Sequence, residues 1–216
     1  MNNFKLPIEN WNFVCYYIKN LGEIMSNQEN IIVFMGPTLV GKSTIAKRLA
    51  LLLNENFVNT DTLCLNHSYH EDDAIELFDD LKDYVNAKQA KVIEIGSNTI
   101  ETCTKEELDY LIKVLTINGK LPTFYLVLPH KNNNASFKFL YNMAKSLDLH
   151  KDSSVIDSLN DSLTTPCLNY LNPTIIETLA DFKQPSLNKL KRYPKHLEKI
   201  AKDIYLSLQI NNNVTV

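Results

Sequence analysis

The sequence predicts an α/β sandwich around a parallel sheet, on three observations. Ile31-Ile-Val-Phe-Met35 is an unbroken apolar run, as a strand buried on both faces requires. Gly36-Pro-Thr-Leu-Val-Gly-Lys-Ser43 follows it directly, and an amphipathic helical stretch follows that. Further apolar runs then alternate with helical patterns along the rest of the chain.

The first strand leads through the glycine loop into Ser43–Leu53, where Ile45, Leu49, Leu52 and Leu53 mark one helical face. Phe57-Val58 reads as a short second strand ending at Asn59-Thr60-Asp61. Glu71–Ala87 reads as an acidic helix with Ile75, Phe78, Leu81 and Val85 inward, and Lys91–Gly96 as a third strand. Thr104 with Glu107 makes a capping box for a helix bearing Leu108, Leu111, Ile112 and Leu115, stopped by Gly119. Thr123–Leu128 is a fourth strand, followed by a helix near Ser136–Leu147. Asp148–Asn172 is polar and irregular, which suits a loop or lid. A short last strand is expected within Asp181–Leu187. Beyond Pro194, Leu197, Ile200, Ala201, Ile204 and Leu208 space a terminal helix.

The 216 residues suffice for one domain with a full core, and 44% apolar with 22% charged residues is ordinary for a soluble globular chain. A net charge of −3 without a basic block argues against nucleic-acid binding. Cys15, Cys64, Cys103 and Cys167 are scattered, without a CxxC pair, and read as reduced thiols. Residues 1–30 read as an attachment before the domain at 31–210, with 211–216 as a tail. Trp11, Val14, Cys15 and Ile18 share a helical face there, and Met25 is an alternative start. That stretch is too short for a membrane span and lacks a secretory flank, so a cytoplasmic protein without membrane contact is expected.

Gly36, Gly41, Lys42 and Ser43 complete the pattern G-x-x-x-x-G-K-[ST]. Its glycines let successive N–H groups converge on phosphate oxygens, and the helix that starts there adds its positive end. Lys42 then reaches the β- and γ-phosphates and the Ser43 hydroxyl meets Mg²⁺, so ATP and Mg²⁺ are the expected ligands. Asp61 stands on the edge where this loop opens. It either orients and deprotonates an acceptor or caps the following segment. Glu94 shares a strand face with Val92 and Gly96, where apolar residues are expected. It needs a partner: the Mg²⁺ shell or a lysine. His67 and His70 lie in a polar stretch and read as solvated.

With these motifs in place the chain resembles the shikimate kinase family from about Asn30 to Gln209. Gly36–Thr44 is typical of its phosphate loop, and Phe57-Val-Asn-Thr-Asp61 resembles its F-x-D-x-D stretch. Gly96-Ser97-Asn98 stands at its three glycines, and Tyr125-Leu126 resembles its fourth strand. Asn172-Pro173 to Ala180-Asp181 matches its N-P-L-Y-x-E-x-A-D segment, and Arg192-Tyr-Pro194 its adenine-side turn. The resemblance implies a three-layer α/β/α fold with a five-stranded parallel sheet and a lid at about 148–172. It implies a kinase, a monomer, that phosphorylates a small hydroxylated metabolite, shikimate being the named candidate. The implied nucleotide site is Gly36, Pro37, Thr38, Leu39, Val40, Gly41, Lys42, Ser43, Thr44, Arg192 and Pro194. Lys42 and Asp61 are the implied catalytic residues. Asp61, Gly96, Ser97 and Asn98 line the implied acceptor site, and Ser43 with Asn59 the metal site.

Several departures fall on the acceptor side. Asn59 replaces the family's first aspartate, while Leu77 and Leu171 fall at its carboxylate-binding arginines and Thr165 at the lid arginine. Leucine cannot make the paired hydrogen bonds of a guanidinium. The chain's two arginines, Arg48 and Arg192, are both placed elsewhere. A nucleotide-binding protein that has lost catalysis and acts by binding or regulation is the alternative reading.

Overall fold

The computed structural model describes residues 30–66, 74–88, 90–129, 134–146, 170–178 and 187–213. Strand β1 (Ile32–Met35) runs into the loop and helix α1 (Lys42–Leu53). Then come β2 (Asn56–Asn59), α2 (Thr60–Asn66), α3 (Ala74–Lys88) and β3 (Ala90–Glu94). They are followed by α4 (Ser97–Thr102), α5 (Lys105–Leu115), β4 (Thr123–Pro129), α6 (Asn134–Ser146), β5 (Thr174–Thr178) and α7 (Leu187–Asn213). The five strands form one sheet in the order β2-β3-β1-β4-β5, every pair parallel. The expected fold class is therefore observed.

Strand alternation divides the core. Ile31, Val33 and Met35 join a cluster with Leu81, Leu108, Leu111 and Phe139 on the α3/α5/α6 side. Ile32 and Phe34 join Ile45, Leu49, Leu197 and Ala201 on the α1/α7 side. The apolar run of β1 is buried because helices cover both faces of the sheet. On α3 it is Leu77 that turns inward with Phe78, Leu81 and Val85, whereas Ile75, expected there, is exposed. The Thr104–Glu107 capping box forms as expected at the start of α5. That helix ends at Leu115, and Asn118 and Gly119, both at positive φ, turn the chain just beyond it.

Two boundaries differ from the sequence reading. The last strand is Thr174–Thr178, not Asp181–Leu187, since Leu187 already belongs to α7. As an edge strand it needs few buried side chains, and only Ile176 and Thr178 are buried. The terminal helix starts before Pro194, which lies inside it. Proline removes one backbone donor there, a local cost that the packing of α7 on α1 offsets. The N-terminal attachment and most of the lid at 148–172 lie outside the described residues. No helix among the described residues is long and apolar enough to cross a membrane.

Candidate functional site

The loop between β1 and α1 is sharply turned, with the mixed signs of φ that characterise an anion-binding nest. Gly36, Leu39 and Gly41 adopt positive φ of 141°, 66° and 94°, the alternation that turns successive amides to one side. Gly36 is required for space as well, because a Cβ there would fall 2.1 Å from the Val127 carbonyl oxygen on β4. At Gly41 a Cβ would meet Leu197 Cδ1 at 2.7 Å, so α7 closes the loop from behind. The Tyr193 hydroxyl fixes this closure by donating to the Val40 carbonyl at 2.8 Å.

The loop opens on a cleft of about 420 Å³. Thr38, Leu39, Gly41, Lys42, Ser43 and Thr44 line one wall, Asp61, Glu94 and Ser97 another, and Tyr193, Pro194 and Leu197 a third. The fold thus brings Asp61, from a separate part of the chain, to the same space as Lys42 and Ser43. Lys42 is buried, and its Nζ donates to the Pro37 carbonyl at 2.8 Å. Burial lowers its pKa, opposed by attraction to Glu94, Asp61 and Glu101.

Asp61 lies in the first turn of α2, whose end is tied to the neighbouring strand. Asn59 Oδ1 accepts the Asp61 N–H at 2.7 Å, and buried Thr60 Oγ1 accepts the Gly96 N–H at 2.9 Å. The capping role considered for Asp61 therefore falls to Asn59. Glu94 is 3% exposed, and its hydrogen-bond partners among the described residues are neutral, not lysines. Its Oε1 accepts the Ser43 hydroxyl at 2.8 Å and its Oε2 accepts the Asn59 amide at 2.7 Å. Burial raises its pKa, opposed by the Ser43 hydrogen bond and by Lys42.

A second cavity of about 290 Å³ adjoins the first, lined by Pro37, Thr38, Ser97, Asn98, Glu101, Lys138 and Phe139. Thr38 and Ser97 belong to both, and their hydroxyls share a 2.6 Å hydrogen bond at the junction. Ser97 and Asn98, expected at an acceptor, thus stand next to the phosphate loop. Leu77 and Leu171 do not face it; both are buried in the core.

Two of the expected site residues stand outside both cavities. Arg192 is exposed and does not line the cleft; Tyr193 and Leu197, one helical turn apart, present the inner face of α7 instead. Asn59 lines neither cavity and meets the site through Glu94. Tyr193 lies within the Arg192-Tyr-Pro194 turn, but nothing in that turn marks it as a residue that faces the cleft. Glu94 did carry a signal, a carboxylate in an apolar strand, but its neutral partners were not legible.

No family model matches the chain, and no curated protein matches it. Among solved structures it is similar to a gluconokinase from Sinorhizobium meliloti at 14% identity and a TM-score of 0.36, covering 83% of this chain and 97% of that one. It is also similar to a sugar kinase from a Janibacter species at 16% identity and a TM-score of 0.33, covering 78% of this chain and 94% of that one.

Proposed function

We propose that this chain is an ATP- and Mg²⁺-dependent kinase that transfers the γ-phosphoryl group to a hydroxyl of a small metabolite. The observation that carries the reading is the cleft that Lys42, Ser43 and Asp61 line together. The loop amides and Lys42 provide fixed positive charge where phosphate charge shifts during transfer. The Ser43 hydroxyl, a hard oxygen donor at the start of α1, fits Mg²⁺. The cation's part is to neutralise phosphate charge when it is bound. Asp61 faces the acceptor: the hydroxyl oxygen bonds to the γ-phosphorus, the bond to the β–γ bridging oxygen breaks, and Asp61 takes the proton.

Ser97 and Asn98 offer neutral hydrogen bonds to acceptor hydroxyls in the adjoining cavity. Shikimate is the named candidate from the resemblance, and the burial of Leu77 and Leu171 counts against it. The replacement of an acidic residue by Asn59 favours a second reading, a nucleotide-binding protein of this fold without turnover. One experiment separates the two: ADP release from Mg-ATP over a panel of small hydroxylated acceptors, shikimate included, alongside ATP binding. Acceptor-dependent ADP release that Asp61→Asn abolishes supports the kinase. Tight ATP binding without turnover on any acceptor supports the second reading.

A further inference from the structure

We infer that Glu94 is the anionic partner of Ser43 at the magnesium site and that Asn59 positions it, the carboxylate having moved from the end of β2 to the end of β3. The inference rests on the reading of the cleft as a magnesium-nucleotide site.

Asn59 and Glu94 are register partners on adjacent parallel strands, so their side chains leave the sheet side by side. The Asn59 amide is oriented by two different demands. Its oxygen accepts the backbone N–H of Asp61, which leaves only its NH₂ group to meet Glu94 Oε2. An aspartate at position 59 could still accept from Asp61, but its second oxygen would face Glu94 Oε2 with no proton between them. A carboxylate at 94 and an amide at 59 are therefore a matched pair, and the amide is what the displaced charge requires.

The other oxygen of Glu94 holds the Ser43 hydroxyl proton. A serine that donates in this direction keeps its lone pairs for a cation on the cleft side, and the carboxylate strengthens it as a donor. Both hydrogen-bond partners of this almost fully buried carboxylate are neutral. Lys42 attracts this carboxylate but directs its hydrogen bond to the Pro37 carbonyl, so a divalent cation beside Ser43 would add the further positive charge that such a burial calls for. A purely structural Glu94 would need only the two hydrogen bonds; a glutamine can keep the Asn59 bond through its oxygen and meet Ser43 through its NH₂, with that bond reversed.

The test compares wild type, Glu94→Gln, Asn59→Asp and the double variant Asn59→Asp/Glu94→Gln, which returns the carboxylate to β2. ATP affinity is titrated against Mg²⁺ by calorimetry, with EDTA as the metal-free arm, and folding is checked by melting temperature. Glu94→Gln should raise the Mg²⁺ concentration for half-maximal tightening at least about tenfold, with ATP affinity in EDTA little changed. The double variant should return to within about threefold of wild type. Asn59→Asp alone should melt lower than wild type without metal and recover with Mg²⁺, because two carboxylates then share one site.

A Glu94→Gln protein with unchanged Mg²⁺ dependence would overturn the inference, and so would a double variant no better than Glu94→Gln. Should Glu94→Gln fail to fold, the double variant decides by itself: retained coupling supports the inference and lost coupling overturns it. A wild type that binds no ATP under any condition refutes the nucleotide reading itself. Wild type that binds ATP with Mg²⁺ coupling indifferent to Glu94 refutes only the role of Glu94.

Discussion

The carboxylate of Asp61 lies over the α-carbon of Gly96, so closely that a Cβ there would fall 1.9 Å from Asp61 Oδ1. Gly96 has φ −57°, which any residue adopts, so glycine is needed for room and not for backbone freedom. Gly96→Ala should displace the Asp61 side chain at little cost in stability, because the end of a side chain can move. Melting temperature should hold within about 2 °C, while transfer falls at least about tenfold from misplacement alone. Measuring kcat and melting temperature on one preparation checks this, and unaltered kcat would mean that Asp61 works from another position.

Asp61→Asn keeps the cap, since Asn59 and not Asp61 supplies the accepting oxygen. Stability should stay within about 0.5 kcal/mol of wild type and ATP affinity should persist, while transfer is lost. Asn59→Ala should show the reverse emphasis, the missing cap costing about 1 kcal/mol and the hydrogen bond lost to buried Glu94 about 1–3 kcal/mol more. Denaturant unfolding of both proteins beside turnover separates these roles.

Lys42→Ala should remove most of the rise in melting temperature that Mg-ATP gives the wild type, because a ligand selective for the folded state stabilises only as far as it binds. Equal responses in the two proteins would put the nucleotide elsewhere.

Shikimate should be a weak acceptor or none. Each lost charge-assisted hydrogen bond to its carboxylate costs about 1.5–3 kcal/mol, so two losses weaken binding at least tens-fold. A micromolar KM for shikimate would contradict this. Leu77→Arg should not repair the site. Position 77 is 3% exposed in the core, and an unpaired guanidinium there should destabilise the fold by about 3 kcal/mol or more.

Cys103 is buried, and burial pushes its thiol pKa up to about 12. At pH 8 the thiolate is then only about one part in ten thousand. Iodoacetamide on the folded protein should therefore modify the half-buried Cys64 well before Cys103, as peptide mass mapping would read. The same shift has a definite sign in stability. Above pH 9 the unfolded thiol loses its proton while the folded one keeps it, so this group's contribution falls as pH rises from 9 to about 12.

The glycine loop was legible in eight residues because its form is set by backbone, and glycine spacing records backbone geometry. The core faces of α1 and α5 were legible from periodicity, yet on α3 the pattern offered Ile75 where packing chose Leu77. Strand β5 is hard to read because an edge strand needs burial on few positions, and Thr174, Ile175 and Glu177 are all exposed. The start of α7 is hidden because Pro194 reads as a helix boundary in the sequence, although packing against α1 carries the helix through it. The Asn59–Glu94 pair could not be read from spacing. The two residues are 35 positions apart, and only strand register puts them side by side.

The clasp of α7 on the phosphate loop also sets an order of events during synthesis. The Tyr193–Val40 and Arg48–Glu198 bonds join positions 153 and 150 residues apart. On the ribosome, β1 and the loop emerge early but stay unbraced until the last helix has left the exit tunnel. Closing so long a span is entropically slow, and nothing local can substitute for it. Nascent chains stalled before Tyr193 should hold no ATP, and release of the finished helix should switch binding on.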